Sequence, residues 1–452
     1  MELENGGYAM KKEFVRYVFP SMISFVFCGL YAMVDAFFVG RNVGDAGLAA
    51  INIAYPLVAL LQAVGTGIGI GGSVYMSTCM GTEDKRGEKS YFVHTLLFLA
   101  FASVLLVAVI LPFASPLLGV LGAHGEVHAG AKTYLTYMIA GAACQVFSTG
   151  LVPVLRNYGK AFLAMGAMIA GFVANIVLDW LFVQVFDWGL TGAAVASVIG
   201  QAVTVVPCAL FLLLRKREKT PFRFSFAIFG RIAKVGLSPF GVTMCPNIGV
   251  AVMNRLAYDY GGDPAVAAYA VIAYVYFALL LIMQGIGDGA QPLISRYYGA
   301  GERAKYKKIV AYAFVTSFIS FAVFFALLLL GRKAIPAWFG AGEQAAALAE
   351  KALPIFGVGV LFAAFNRVCA AYFYSVKSNL FAYILVYGEV AALVLFAVTL
   401  PIALGVDGLW WANPVSQAAA ALAGALLLFI GRKKRRVSEP LAKTEEENAD
   451  TY

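Results

Sequence analysis

Residues 20–40 read PSMISFVFCGLYAMVDAFFVG, an apolar stretch whose single charge is Asp35. About 20 apolar residues in a helix cross the ~30 Å hydrocarbon core of a bilayer, so this stretch is long enough to span a membrane by itself. A carboxylate inside such a span costs about 2.5–3.5 kcal/mol on insertion scales, which makes Asp35 a functional suspect from the outset. The stretch has an echo, PFGVTMCPNIGVAVMNRLAYD at residues 239–259, where Pro239 answers Pro20 and Asn254 answers Asp35. At a shift of about 216–219 residues the correspondence continues. Gly67, Gly69, Gly71 and Gly81 fall on Gly285, Gly287, Gly289 and Gly299; Tyr158 on Tyr374; Gly189 and Gly192 on Gly405 and Gly408; Gln201 on Gln417. The chain is a duplicated unit.

Working outward by length and apolarity gives twelve spans, near residues 14–39, 48–78, 90–112, 131–155, 162–184 and 190–214, then 237–260, 265–297, 309–330, 351–376, 380–404 and 408–430. The second and eighth are long and glycine-rich, so bending or tilt is expected there. Six spans per half is an even number, so both halves enter the bilayer with the same orientation, as parallel repeats about an axis along the membrane normal. The expected fold is an all-α membrane protein of two six-helix lobes. Residues 1–13 form a short N-terminal segment, 14–214 the N-lobe, 215–236 a basic inter-lobe loop, 237–430 the C-lobe and 431–452 a polar tail expected to be disordered.

Composition agrees with lipid as the solvent. Of 452 residues, 61% are hydrophobic and 13% charged, against about a quarter charged in soluble proteins; mean hydropathy is +0.80. The net charge of +9 does not call for nucleic acid, because the cations cluster in short segments between spans. With both termini inside, the outer segments hold only Arg41, Lys132, Arg332, Lys333 and Lys351. The other cations lie inside, apart from Arg255 and Arg367 within spans. That bias orients both termini to the cytoplasm of a cell (inner) membrane. No signal-peptide pattern opens the chain. Six scattered cysteines without a C-x-x-C and three histidines offer no rich metal site, and no cofactor is expected.

Gly67-Ile-Gly69-Ile-Gly71-Gly72 satisfies G-x-G-x-x-G in form, but it lies inside an apolar span with no strand before it. Close helix approach explains it better than a nucleotide. No phosphate-binding G-x-x-x-x-G-K-[ST] occurs, so any pumping by this chain draws on an ion gradient.

The charged residues within spans are Asp35, Asp179, Arg255, Asp259, Asp288, Arg367 and Glu389. Arg255 and Asp259 sit one turn apart and read as a local ion pair; Arg367 either snorkels or holds structure. Asp35 and Asp179 are more informative. Spans one and five run in the same direction, and at ~1.5 Å per residue both carboxylates reach similar depth. Asn175 lies one turn before Asp179 on the same face, Ser197 reaches that level from the sixth span, and Tyr31 lies one turn before Asp35. Two carboxylates, an amide and a hydroxyl make an oxygen-rich site for H⁺ or Na⁺. The plainer alternative is buried polar groups satisfying one another. Under the repeat Asp35 meets Asn254 and Asp179 meets Leu395, so the coupling-ion site is expected in the N-lobe alone.

Three stretches carry a family resemblance: Pro20–Gly40, the run Ala174-Asn175-Ile-Val-Leu-Asp179, and Gln291-Pro292 followed by Tyr298-Gly299-Ala300. Together they resemble the first, fifth and eighth helices of multidrug and toxic compound extrusion (MATE) transporters, most closely the DinF-like bacterial branch. The resemblance implies cation-coupled export of bulky, often cationic or aromatic compounds by alternating access, with H⁺ or Na⁺ as coupling ion. It places that ion at Asp35, Asn175, Asp179 and Ser197, where relatives often have Thr at the last position. It also implies a helix-bending role for Pro20 and a neighbouring tyrosine at Tyr134. Asp288 and Glu389 depart from the family's usual uncharged residues and mark a possible C-lobe substrate or proton pathway. The expected partners are an amphipathic or cationic small molecule and membrane lipid, with the monomer as working unit.

Two rivals remain. A flippase for a lipid-linked glycan precursor needs a strongly cationic cavity, which two intramembrane arginines against several acids disfavour. A membrane enzyme lacks a His-rich cluster or a nucleophile–base pair.

Overall fold

The fold is described from a computed structural model covering residues 2–215 and 224–449, the side chains of residues 2–7, 30–33, 36, 45 and 432–449 excepted. The side chains of nearly all the expected tail, of most of the N-terminal segment and of Tyr31 lie outside the described residues. Helices follow one another with short turns: α1 (Glu2–Asn42), α2 (Asp45–Gly81), α3 (Lys85–Val120), α4 (Gly125–Ala140), α5 (Ala142–Asn157), α6 (Ala161–Asp179), α7 (Gly189–Leu214), α8 (Phe226–Gly299), α9 (Arg303–Gly331), α10 (Ala334–Trp338), α11 (Glu343–Ser375), α12 (Asn379–Leu404) and α13 (Val406–Ala449). No strand occurs among the described residues.

Nine of these helices are long and apolar enough to cross a membrane, and the bent pair α4–α5 makes a tenth. The 74-residue α8 is two spans, divided at Gly262, where φ is 63° and ψ is −161°; only glycine takes that conformation without strain. With α1 across residues 14–39 the twelve expected spans are all helical.

One expectation of local shape changes. The fourth span is not one helix: α4 and α5 meet at Gly141 and bend by 57°. Val198 of α7 fills the place a Cβ at Gly141 would take, so the bend and the missing side chain let α7 close in. The second span is one continuous helix, α2, whose glycines serve packing. Gly67 and Gly71 lie against the backbone of Ile232 and Gly236 on α8. Cβ atoms built at Gly81 and Gly299 would stand 2.7 Å from Ala300 N and 2.8 Å from Thr78 Cα. Dispersion over backbone brought this close substitutes for a hydrophobic driving force that lipid does not supply.

These contacts set how the lobes meet. One large core lies almost wholly within α1–α7, with Leu61, Phe92, Leu99, Leu135 and Leu155 at its centre. A second belongs to the C-lobe, around Tyr269, Phe356 and Trp410. Two further cores cross the lobe boundary. One joins Phe14, Tyr17 and Val18 of α1 to Met283, Ile286 and Ala290 of α8; the other joins Ile70 and Val74 of α2 to Val235, Phe373 and Tyr374. By span order, both crossing cores lie in the half of the bundle nearer the N-terminus, hereafter the terminal side. The lobes are sealed there.

Candidate coupling-ion site

Asp179 is the last residue of α6, and the next six residues, Trp180–Val185, form a π-helical turn. Such single-turn widenings are rare and recur at functional sites. Asp179 and Asn175 are both buried, one turn apart on the face that meets α7. That meeting is tight because α7 carries Gly200 there: a Cβ at Gly200 would stand 2.8 Å from the Cβ of Asn175. The close approach lets Asn175 Nδ2 donate to Ser197 Oγ at 3.4 Å. From α1, the Asp35 carboxyl comes within hydrogen-bonding range of the Asp179 carboxyl. From α4, the buried ring of Tyr134 brings its hydroxyl to Ser197.

The structure therefore gathers Asp35, Asn175, Asp179, Ser197 and Tyr134 into one place. The polarity of the cluster is lopsided. Asp35 Oδ1, both carboxylate oxygens of Asp179 and Asn175 Oδ1 are buried acceptors that receive no hydrogen bond. Buried polar atoms are ordinarily paired, and two carboxylates in contact cannot satisfy each other without something positive between them. A proton or a small cation with oxygen ligands fits that arrangement. Among the described residues no group of three or more His, Cys, Asp or Glu side chains is placed to hold a metal ion; an ion here would rest on two carboxylates plus neutral oxygens.

Pro20 lies within α1, which continues through it, with Ser24 Oγ donating to the Pro20 carbonyl at 2.8 Å. Arg255 and Asp259 pair at 3.2 Å on the surface, as their spacing implies. The two C-lobe acids do not join one another. Tyr374 donates to Asp288 at 3.0 Å. Glu389 is held by Arg367 Nη2 at 3.0 Å and by Gln417 Nε2 at 2.8 Å. Arg367 is thus a buried structural cation rather than a snorkelling one.

Sequence reading missed three buried polar residues, Gln417 and Asn366 in the C-lobe and Arg156 in the N-lobe. Gln417 also receives Asn366 Nδ2 on its Oε1 at 3.0 Å. Its repeat partner Gln201 accepts from Ser148 at 2.5 Å, so the duplication preserves a cross-helix bond as well as residue types, and the Gln201–Gln417 match was its signal. Arg156, 4% exposed, lies close enough to Asp288 across the lobe boundary for their charges to interact. Asn254, which answers Asp35 in the repeat, is exposed.

A cavity of about 1100 Å³ opens elsewhere, on the terminal side, lined by Lys12, Arg16, Lys160, Arg215 and, from the C-lobe, Arg296, together with Glu13 and Glu88. It does not reach the acid pair.

The MatE family description matches residues 20–181 and 239–399, one segment in each lobe. Among curated proteins, the chain is 29% identical over 325 residues to the multidrug export protein MepA of Staphylococcus saprophyticus, covering 69% of this chain and 70% of that protein. It is 23% identical over 436 residues to MepA of Staphylococcus aureus, covering 94% and 95%. Among solved structures, an outward-facing multidrug resistance MATE transporter of the MOP superfamily superposes with a TM-score of 0.89 at 26% identity, over 94% of this chain and 97% of that one. A MOP-superfamily transporter from Pyrococcus furiosus, described as having a binding pocket of reversed polarity, superposes with a TM-score of 0.88 at 26% identity, over 94% and 96%. A family match in both halves, on a two-lobe helical fold shared almost end to end, places this chain in the MATE family of membrane transporters.

Proposed function

We propose that the protein is a cation-coupled antiporter that exports bulky cationic or aromatic compounds from the cytoplasm. One observation carries the reading: the carboxyl groups of Asp35 and Asp179 meet inside the N-lobe, and neither Asp35 Oδ1 nor either Asp179 oxygen receives a hydrogen bond. H⁺ or Na⁺ arriving from outside would settle there, assisted by Asn175 Oδ1 and the Ser197 and Tyr134 hydroxyls. Its arrival draws α1 against α6, and its loss lets them part. Coupling follows if that local change and the substrate favour opposite states of the two lobes. The substrate assignment is supported by the names of the relatives, multidrug export proteins. The working setting is a bacterial inner membrane, with both termini cytoplasmic, as the distribution of Lys and Arg supports, and the monomer as unit, in line with the single-chain structural neighbours. A lipid-glycan flippase is disfavoured because both buried arginines, Arg156 and Arg367, face acids.

The test is ethidium accumulation in inverted vesicles with proton and sodium gradients imposed separately, comparing wild type with Asp179→Asn. Accumulation driven by one gradient and lost in the variant is expected, and names the ion. No accumulation under either gradient from correctly inserted protein would overturn the reading.

A further inference from the structure

The seal between the lobes on the terminal side contains an assembly that pairs cations with tyrosines. Tyr75 of α2 and Tyr91 of α3, both N-lobe residues, stack face to face with ring centroids 4.6 Å apart and planes 9° from parallel. Two residues from the other side of the seam hold this stack. Lys377, in the turn between α11 and α12, holds its ammonium 4.5 Å from the centre of the Tyr75 ring. Arg231, near the start of α8, donates from Nη1 to the Tyr91 hydroxyl at 3.2 Å. Each tyrosine of the stack is thus tied to one cation across the seam.

Two features separate this assembly from ordinary surface decoration. Lys377 has a φ of 57°, a left-handed conformation that non-glycine residues rarely adopt and that persists where the surroundings enforce it. Its ammonium is half-buried, and that burial holds it below the ordinary lysine range. Shielding from water strengthens the attraction of a cation for a ring face. Elsewhere the seam is contact between backbones at Gly67, Gly71, Gly81 and Gly299 and the Arg156–Asp288 charge pair.

We propose that Tyr75, Tyr91, Lys377 and Arg231 are the gate residues that hold the transport path shut on the terminal side, and that the two cation contacts must break together for the lobes to open there. The inference rests on the alternating-access reading above. Because each contact pairs one lobe with the other while the tyrosine stack stays within the N-lobe, rocking the lobes separates cation from ring and leaves the stack intact. The gate acts by positioning the lobes and touches neither ion nor substrate at the acid pair.

The experiment reads lobe separation directly. Nitroxide labels at Arg86 on the N-lobe and Ala304 on the C-lobe, both exposed on the terminal side, report the distance distribution in reconstituted full-length protein. Tyr75→Leu and Lys377→Gln are each expected to raise the ratio of open to closed populations about two- to thirty-fold, the range of one cation–ring contact. The double variant should rise no further than the larger single, since both remove the same contact. Tyr75→Phe, which keeps the ring, and Lys377→Arg, which keeps the charge, should retain the wild-type distribution. Distributions unchanged by both Leu and Gln, or Tyr75→Phe opening as far as Tyr75→Leu, would overturn the proposal. Should Tyr75→Leu fail to fold, Lys377→Gln reads the same contact from a turn. Absence of dye export by wild type would remove the antiport reading while leaving the distance result to decide the gate.

Discussion

Asp179 contributes nothing to packing that an amide would not, and that separates its functional from its structural role. Both its carboxylate oxygens are buried, receive no hydrogen bond and face a second carboxylate. Asp179→Asn replaces this with an amide that donates to Asp35, so thermal stability should hold or rise by about 1 kcal/mol, while ion-driven dye accumulation disappears. A fall in melting temperature alongside the loss of transport would return the pair to a structural role. Glu389 predicts the opposite. Its partner Arg367 is 5% exposed at the side chain, so Glu389→Ala strands a buried charge and should cost about 3–5 kcal/mol. The double change Glu389→Met with Arg367→Met should recover most of that in a thermal melt. Recovery of transport as well would remove Glu389 from any proton pathway. The acid pair was legible in the sequence because rise per residue is a constant of the helix, and depth follows from counting. The Arg367–Glu389 bond was not, since counting places two residues at a level without saying which way their helices face.

The precision of the site depends on how α6 and α7 are allowed to touch. Gly200 brings the α7 backbone against Asn175, and the π-helical turn beyond Asp179 ends α6 in a widened coil that packs on Gly192. Gly200→Ala should therefore cost about 1–3 kcal/mol through overpacking. It should also lower the apparent affinity for the coupling ion, read as a higher ion concentration for half-maximal dye exchange, because the displaced Asn175 leaves Ser197. Wild-type ion dependence in that variant would show that Asn175 is no ligand. Elements were visible in the sequence wherever an apolar run of sufficient length said all there was to say. The break at Gly141 was not visible, because the fourth span keeps its composition through the bend and the cause, Val198, lies on another helix. The glycines of α2 were read as places for close approach or for bending, and their partners on α8 make them places to touch. A glycine permits both, and only the neighbour decides.

At the scale of the molecule the duplication was the strongest signal in the chain, and it carried the two lobes, their parallel orientation and their asymmetry in acids. It could not show where the lobes meet, because a repeat relates each half to the other without specifying their contact. That contact is the terminal-side seam, whose backbones approach at Gly81 and Gly299. The seam makes a demand in one state only. In the state described here a Cβ at Gly299 would stand 2.8 Å from Thr78 Cα, and a backbone atom cannot move aside as the end of a flexible side chain can. With the lobes parted on this side the same side chain would meet lipid or water at little cost. Gly299→Leu should thus raise the energy of the closed state by about 1–3 kcal/mol, shifting the open-to-closed ratio by roughly five- to a hundred-fold. The Arg86–Ala304 label pair would show this as growth of the longer distance. Transport should fall even though the acid pair, set within the N-lobe, is untouched, because an antiporter that cannot shut one side cannot turn over. Retained ion binding, measured by isothermal titration of the purified variant, would place the defect in the lobes. Unimpaired export by Gly299→Leu would mean that this seam is not where the path closes.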